Sequence, residues 1–289
     1  MKVDVQDWAS RASHFDFQGH KIAYWTGGSG PALLLVHGFP TCSWDWCEVW
    51  DDLAQHHTLI ACDMLGFGLS DKPKAPYSLF RQADLQEALL SHLGVTEWDA
   101  LVHDYGVSVG QEMLARQQEG SGAARLGSMV FLNGGIFPGE HRPRLIQKLG
   151  ASPLGPLVSL MMNRKRFDKS FAPIFGPDTQ PSEAELDGFW QMIAAQDGHR
   201  NAHRLLAYMA ERTRNKARWV GALEKAQDRI GLIDGALDPI SGEHVYHVWR
   251  KTLPNAWHHL LRHVGHYPQV EAPEEVARIT LEWLAAKCG

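Results

Sequence analysis

The sequence predicts an α/β protein: a mostly parallel central sheet flanked by helices, with a helical cap inserted late in the sheet. Three observations carry this expectation. Short continuous apolar runs recur along the chain, the pattern of strands buried on both faces by helices. Helical patterns separate the earlier runs. Between roughly Gly135 and Val220 that rhythm stops, and helical segments separated by Pro/Gly loops replace it.

The opening reads as two short strands, His14 to Phe17 and Lys21 to Trp25, whose period-2 alternation turns at Gln18-Gly19 to make an antiparallel edge. The run ALLLV (Ala32 to Val36) is the first buried strand and ends in His37-Gly38-Phe39-Pro40. TLIAC (Thr58 to Cys62), ALV (Ala100 to Val102), MVFL (Met129 to Leu132) and IGLI (Ile230 to Ile233) continue the sheet, with helical patterns such as FRQADLQEALLSHLG between the earlier ones. The interruption holds the helical stretches ELDGFWQMIAAQ and HRLLAYMAERTR. A last strand (His258 to Leu261) and a closing helix (Pro273 to Lys287) complete the core. The expected division is a core of residues 1–134 and 221–289 with a cap of residues 135–220.

A chain of 289 residues suits one large α/β domain with an insertion. Its charge of −5 and pI of about 6.3 leave no overall footprint for nucleic acid or an acidic membrane surface. Four cysteines (Cys42, Cys47, Cys62, Cys288) without CxxC spacing fit a reducing compartment. The N-terminus has acidic residues where a secretion signal needs an apolar stretch, and no run reaches membrane-spanning length, so a soluble cytoplasmic protein is expected.

In open parallel sheets ligands bind beyond the carboxyl ends of the strands. Three such ends carry chemistry. Val102-His103-Asp104-Tyr105-Gly106 lies between the ALV strand and the helical run QEMLARQQ, where a sharp turn projects a side chain into the crevice and the helix N-terminus favours negative charge. Gly106 supplies the small neighbour that such an elbow needs. Asp238 follows the IGLI strand in Gly235-Ala236-Leu237-Asp238-Pro239, and His266 follows the last strand in Gly265-His266-Tyr267-Pro268. Singly, Asp104 could be a helix cap, Asp238 a turn initiator and His266 one of 16 histidines. Together, at strand ends and in the order nucleophile, acid, histidine, they read as a catalytic set.

Gly106-Val107-Ser108-Val109-Gly110 is a literal GxSxG match and makes Ser108 a rival nucleophile. Its register argues against it: with Ser108 at the elbow, the central strand would run through His103, Asp104 and Gly106, burying a charge and a glycine. With Asp104 at the elbow, Ser108 falls one turn into the helix.

HGFP, DMLGFGLSDKP, HDYG, GALDP and GHYPQVEAP, in order from His37 to Pro273, resemble the epoxide hydrolase and haloalkane dehalogenase branch of the α/β-hydrolase fold. NGGIFPGEHRP, FGPDTQPSEAEL, RWVGAL and RKTLP are more narrowly similar to the mesoderm-specific transcript (PEG1) proteins. The resemblance implies no cofactor and no metal. It implies that Asp104 attacks to form an alkyl-enzyme ester, that His266, oriented by Asp238, activates the water that cleaves it, and that backbone N–H groups of Phe39 and Tyr105 form the oxyanion hole. His37, Gly38, Pro40, His103 and Gly106 complete the matching motifs.

Epoxide hydrolases supply cap tyrosines to the leaving alkoxide. Tyr208, 30 residues before Asp238, matches the second of that pair, and no tyrosine between Gly135 and Tyr208 supplies the first. Tyr208 could equally be a core aromatic of an amphipathic helix. Dehalogenases instead hold halide with side-chain N–H donors, where this chain has Tyr105 and Phe39; phenylalanine donates nothing. Some dehalogenases carry their acid one strand earlier, where this chain has Asn133.

The expected function is therefore hydrolysis of a small or medium apolar epoxide to a diol. Haloalkane dehalogenation, a serine esterase built on Ser108, and a non-catalytic hydrolase-fold sensor are the alternatives. Trp44, Trp46, Phe137, Phe171, Phe175, Trp190 and Trp219 could line the pocket or pack the cap. Nucleic acid is not an expected partner, nor is membrane insertion; exposed apolar patches could mediate a homodimer, but no stripe is distinctive enough to claim one.

Overall fold

The computed structural model describes residues 3–287, which leaves Cys288 outside the described residues. Eight strands form one sheet: β1 (Ser13–Phe17), β2 (His20–Gly27), β3 (Ala32–Val36), β4 (Thr58–Cys62), β5 (Glu97–Val102), β6 (Arg125–Phe131), β7 (Ile230–Gly235) and β8 (Trp257–Leu261). Their order is β1-β2-β4-β3-β5-β6-β7-β8. The β1–β2 and β2–β4 pairs are antiparallel and the remaining pairs parallel, so the amino-terminal hairpin forms an edge and everything after it is parallel.

Alternate residues of each central strand feed two apolar clusters, one on each face of the sheet. Leu34, Val36, Ala100, Val102, Phe131 and Leu232 enter one with the helices Leu79–His92, Tyr105–Glu119 and Glu243–Thr252. Leu33, Leu35, Leu101, Val130 and Ile233 enter the other with Cys47–Ala54 and Pro273–Ala285. Two-sided burial explains why these strands read as unbroken apolar runs. β5 and β6 begin earlier than the runs suggest because their entry ends, EWD and RLG, alternate between exposed and buried positions.

Between β6 and β7 the described chain is helical or irregular, with helices at Leu145–Gly150, Gly155–Leu160, Arg164–Phe171, Glu183–Ala194, Ala202–Leu205, Tyr208–Arg214 and Lys216–Lys225. The stretch HRLLAYMAERTR, expected as one helix, is broken at Leu206-Ala207. Lys216–Lys225 packs against the Tyr105–Glu119 helix and shares its apolar cluster through Trp219, Ala222 and Leu223. Cys42, Cys47 and Cys62 are buried free thiols, and no described helix is long and apolar enough to cross a membrane.

Candidate active site

The carboxyl ends of β3, β5, β6, β7 and β8 converge. Asp104 is the second of two residues, after His103, between β5 and the following helix, with φ 46° and ψ −106°, a left-handed conformation that costs a non-glycine residue of order 1–3 kcal/mol. Its backbone N–H donates to Asn133 O at 2.9 Å, and the Gly106 N–H donates to His37 O at 3.1 Å. A Cβ on Gly106 would lie 2.4 Å from Val36 O and 2.7 Å from His37 O, so only glycine lets the elbow close against β3. Ser108 lies within the helix, fully buried, and its Oγ has no hydrogen-bond partner.

The two carboxylate oxygens of Asp104 face different groups. Phe39 N–H donates to Oδ1 at 2.9 Å, and His266 Nε2 stands 3.4 Å from Oδ2. Tyr105 opens the helix, so its N–H has no intrahelical acceptor. His266 Nδ1 meets Asp238 Oδ2 at 2.7 Å. Asp238 is itself saturated: Ile240 N–H donates to Oδ1 at 2.7 Å, while Ser241 N–H (3.0 Å), Ser241 Oγ (2.6 Å) and Asn133 Nδ2 (3.0 Å) donate to Oδ2. Asn133 also clasps Gly235 through its N–H (2.6 Å) and carbonyl (3.1 Å), which ties the end of β6 to the end of β7.

Burial alone would raise the Asp104 carboxyl; the hydrogen bond and charge of His266, with His103 and the Phe39 N–H, outweigh it and hold the group at about 2. Asp238 is likewise held below the usual carboxylate range, against burial, chiefly by His266. Burial would lower His266, but two carboxylates raise it well above the ordinary imidazole value. The two carboxylates flanking His266 therefore favour its protonated form at rest.

The flanking histidines are neutral supports. Met64 N–H donates to His37 Nε2 at 3.0 Å, so Nδ1 carries the proton and donates to Gly38 O at 2.8 Å. This braces the loop Gly38-Phe39-Pro40, whose Phe39-Pro40 bond is cis. His103 Nε2 meets His266 O at 2.8 Å, and burial and then the charge of His266 push its pKa down to about 3.

Tyr208 is buried, its ring edge-on to Tyr105 at 5.0 Å, and burial followed by the charge of Asp104 raises its phenol. Arg212, one turn further on, is absent from the sequence-based candidates. It is buried, lies 5.7 Å over the Tyr208 ring, and donates through Nη2 to Gly135 O. A Cβ on Gly135 would overlap the guanidinium. Its Nε has no partner and no carboxylate pairs with it among the described residues, while the Tyr208 hydroxyl and, after it, the Asp104 carboxylate act on it electrostatically. Linear sequence holds no signal for this, because 77 residues separate Gly135 from Arg212.

A cavity of about 110 Å³ reaches Phe39 and His266 and is walled mainly by apolar side chains from the helical segment, including Ile146, Val158, Met162, Phe167 and Leu206. Of the aromatics considered for the pocket, Trp190 lines it. The others pack elsewhere: Trp44 on Phe189, Phe137 on Trp249, Phe171 and Phe175 on Tyr267, Trp219 on Phe80, and Trp46 in the core. Tyr208 is not part of the wall. No cluster of metal-ligating side chains occurs among the described residues.

Comparison with known proteins agrees with this architecture. The chain is 42% identical over 282 residues to the mesoderm-specific transcript homolog protein of Bos taurus, covering 93% of this chain and 84% of that one. It is 37% identical over 258 residues to the putative hydrolase LipZ of Mycobacterium tuberculosis, covering 89% of each. It is 30% identical over 280 residues to the cis-3-alkyl-4-alkyloxetan-2-one decarboxylase of Shewanella oneidensis, covering 89% of this chain and 83% of that one. Among solved structures, a loop variant of a haloalkane dehalogenase from Bradyrhizobium elkanii superposes with a TM-score of 0.79 at 22% identity, covering 96% of this chain and 97% of that one. An epoxide hydrolase superposes at 0.75 and 21%, covering 95% and 98%. The family model for the α/β hydrolase fold matches residues 31–273, and the chain belongs to that family.

Proposed function

We propose that the protein is a cofactor-independent hydrolase of the epoxide hydrolase type, acting on an apolar epoxide through an ester on Asp104. The observation that carries this reading is the split environment of the Asp104 carboxylate, with Oδ1 on a backbone N–H and Oδ2 facing His266. Oδ2 attacks a ring carbon, the C–O bond breaks, and the alkoxide takes a proton from Tyr208, whose ring lies against Tyr105 beside the nucleophile rather than on the apolar wall of the cavity. Arg212, which lies over the Tyr208 ring and feels the charge of Asp104, supplies a positive charge that offsets the developing anion in place of the missing first cap tyrosine. Esterification removes the negative charge of Asp104, so the pKa of His266 falls and its proton passes through solvent to the Tyr208 phenolate, which leaves the ring available as a base. His266 then takes a proton from water, which attacks Asp104 Cγ. The oxyanion forms on Oδ1 against Phe39 and Tyr105 N–H, and the diol leaves with the proton from His266. The proton of the regenerated Asp104 carboxyl passes to His266, which restores the starting carboxylate and imidazolium.

An epoxide is favoured over a halide by the donors present: Phe39 offers no side-chain N–H, and the Tyr105 side chain is buried against Phe67 and Tyr208. The Shewanella relative is named for a substrate that also contains a strained oxygen ring.

The test is turnover of a panel of terminal epoxides in ¹⁸O-water, followed by digestion and mass analysis of the peptide containing Asp104. Label entering that side chain over multiple turnovers is expected. Hydrolysis without label in Asp104 excludes the ester mechanism, and ligand binding without turnover across the panel favours a sensor.

A further inference from the structure

Seven large apolar side chains are exposed among the described residues, and six of them, Leu145, Leu149, Leu154, Leu157, Leu160 and Met161, fall within 17 consecutive positions. Leu145 is 71% exposed, Leu160 64% and Leu157 55%. They sit on the two short helices Leu145–Gly150 and Gly155–Leu160, which pack on each other, with Leu154 and Met161 capping the second. A concentration of this kind on one element marks an interaction surface, unlike apolar residues scattered singly.

Charge is segregated to the same place. Residues 141–170 carry seven Lys or Arg and one Asp, whereas the rest of the chain carries 21 Lys or Arg against 32 Asp or Glu. Arg164 is matched by Asp168 and by Asp187 and Glu183 of the next helix. Lys148, Lys165, Arg166 and Lys169 are exposed, and among the described residues no ion pair engages them. Arg144, Arg166 and Lys169 border a groove floored by Leu145, Ile146, Val158 and Met161. The protein's overall charge of −5 conceals this local reversal.

We propose that this face docks on an anionic lipid surface. Its leucines enter the headgroup boundary while the basic rim meets lipid phosphates, the amphipathic arrangement of interfacial helices. A second copy of the chain is the poorer occupant, because pairing two such faces would bring two cationic rims together. The position suits an apolar substrate: Ile146, Val158 and Met162 wall the cavity over His266, and their neighbours Leu145, Leu157 and Met161 form the outer face of that wall. Docking itself is independent of the proposed chemistry.

Flotation of the full chain with vesicles of phosphatidylcholine alone, or with phosphatidylglycerol added, tests the proposal without an activity assay. Binding to the anionic vesicles and weakening by salt are expected. Leu157→Glu/Leu160→Glu alters only exposed positions and should weaken binding by roughly tenfold or more. Lys165→Glu/Arg166→Glu should weaken it by at least about fivefold for each charge removed. Circular dichroism and thermal melting confirm that both variants fold. Three outcomes overturn the proposal: no partition into anionic vesicles, wild-type binding by both variants, or a dimer in light scattering that Leu157→Glu dissolves while vesicle binding is absent.

Discussion

Asp238→Asn separates the two halves of the proposed reaction. Asp238 Oδ2 receives His266 Nδ1 at 2.7 Å, both side chains are buried, and Asp238 is the foremost group raising the imidazole. An asparagine is nearly isosteric but neutral, and with Asn133 Nδ2 and Ser241 Oγ already pointing at the same oxygen it cannot satisfy every donor. Removing one partner of a buried charge pair costs about 3–5 kcal/mol. Charged to a step in which His266 gains a proton, that corresponds to a slowing of roughly two to four decades. Attack by Asp104 does not need His266 to gain a proton, and Oδ1 keeps its Phe39 N–H. Ester formation should therefore persist while ester hydrolysis stalls. Rapid quench and intact-mass spectrometry of the variant with a terminal epoxide should reveal a species heavier by the whole epoxide, accumulating to one equivalent. Equal slowing of both steps, or loss of activity with no adduct, would refute the assigned roles.

Ser108→Ala should retain activity and melt at or slightly above the wild-type temperature, because its buried Oγ has no partner to lose; Asp104→Ala should abolish ester formation in the same mass assay. Tyr208→Phe should slow single-turnover ring opening by about 10²- to 10⁴-fold and leave hydrolysis of a preformed ester unchanged; an unaltered opening rate assigns the phenol to packing. Stability should depend on pH through the same three groups. The depressed folded-state pKa values of Asp104 and Asp238 contribute stability present above about pH 4 and lost as pH falls through the folded values, near 2 for Asp104. The raised folded-state pKa of His266 contributes stability present below about 6.5 and lost as pH rises through its folded value. The difference in melting temperature between wild type and His266→Gln should accordingly be greatest between about pH 4 and 6.5 and shrink on either side.

Much of the sheet is legible because burial on both faces leaves a local signature. β3 and β4 coincide with their apolar runs, residue for residue. The solvated first turns of β5 and β6 carry Glu97, Asp99 and Arg125 and therefore escape that signature. The break at Leu206-Ala207 escapes it too, because the amphipathic period continues across the interruption.

Local sequence also determined the elbow register. A clean apolar strand before Asp104 and glycine two residues after it place Ser108 inside the helix, whatever the rest of the chain does. Tertiary structure alone decided what surrounds that carboxylate. The clasp from Asn133 to Gly235 and Asp238 spans more than 100 residues, and Arg212 reaches Gly135 across a helical excursion. The cationic apolar face likewise depends on which neighbouring acids fold back onto the basic residues: Asp187 and Glu183 reach Arg164 and leave its neighbours unmatched. Strand and helix periodicities are set by nearest neighbours along the chain. Charge pairing and pocket walls depend on distances through space, which only the packed fold supplies.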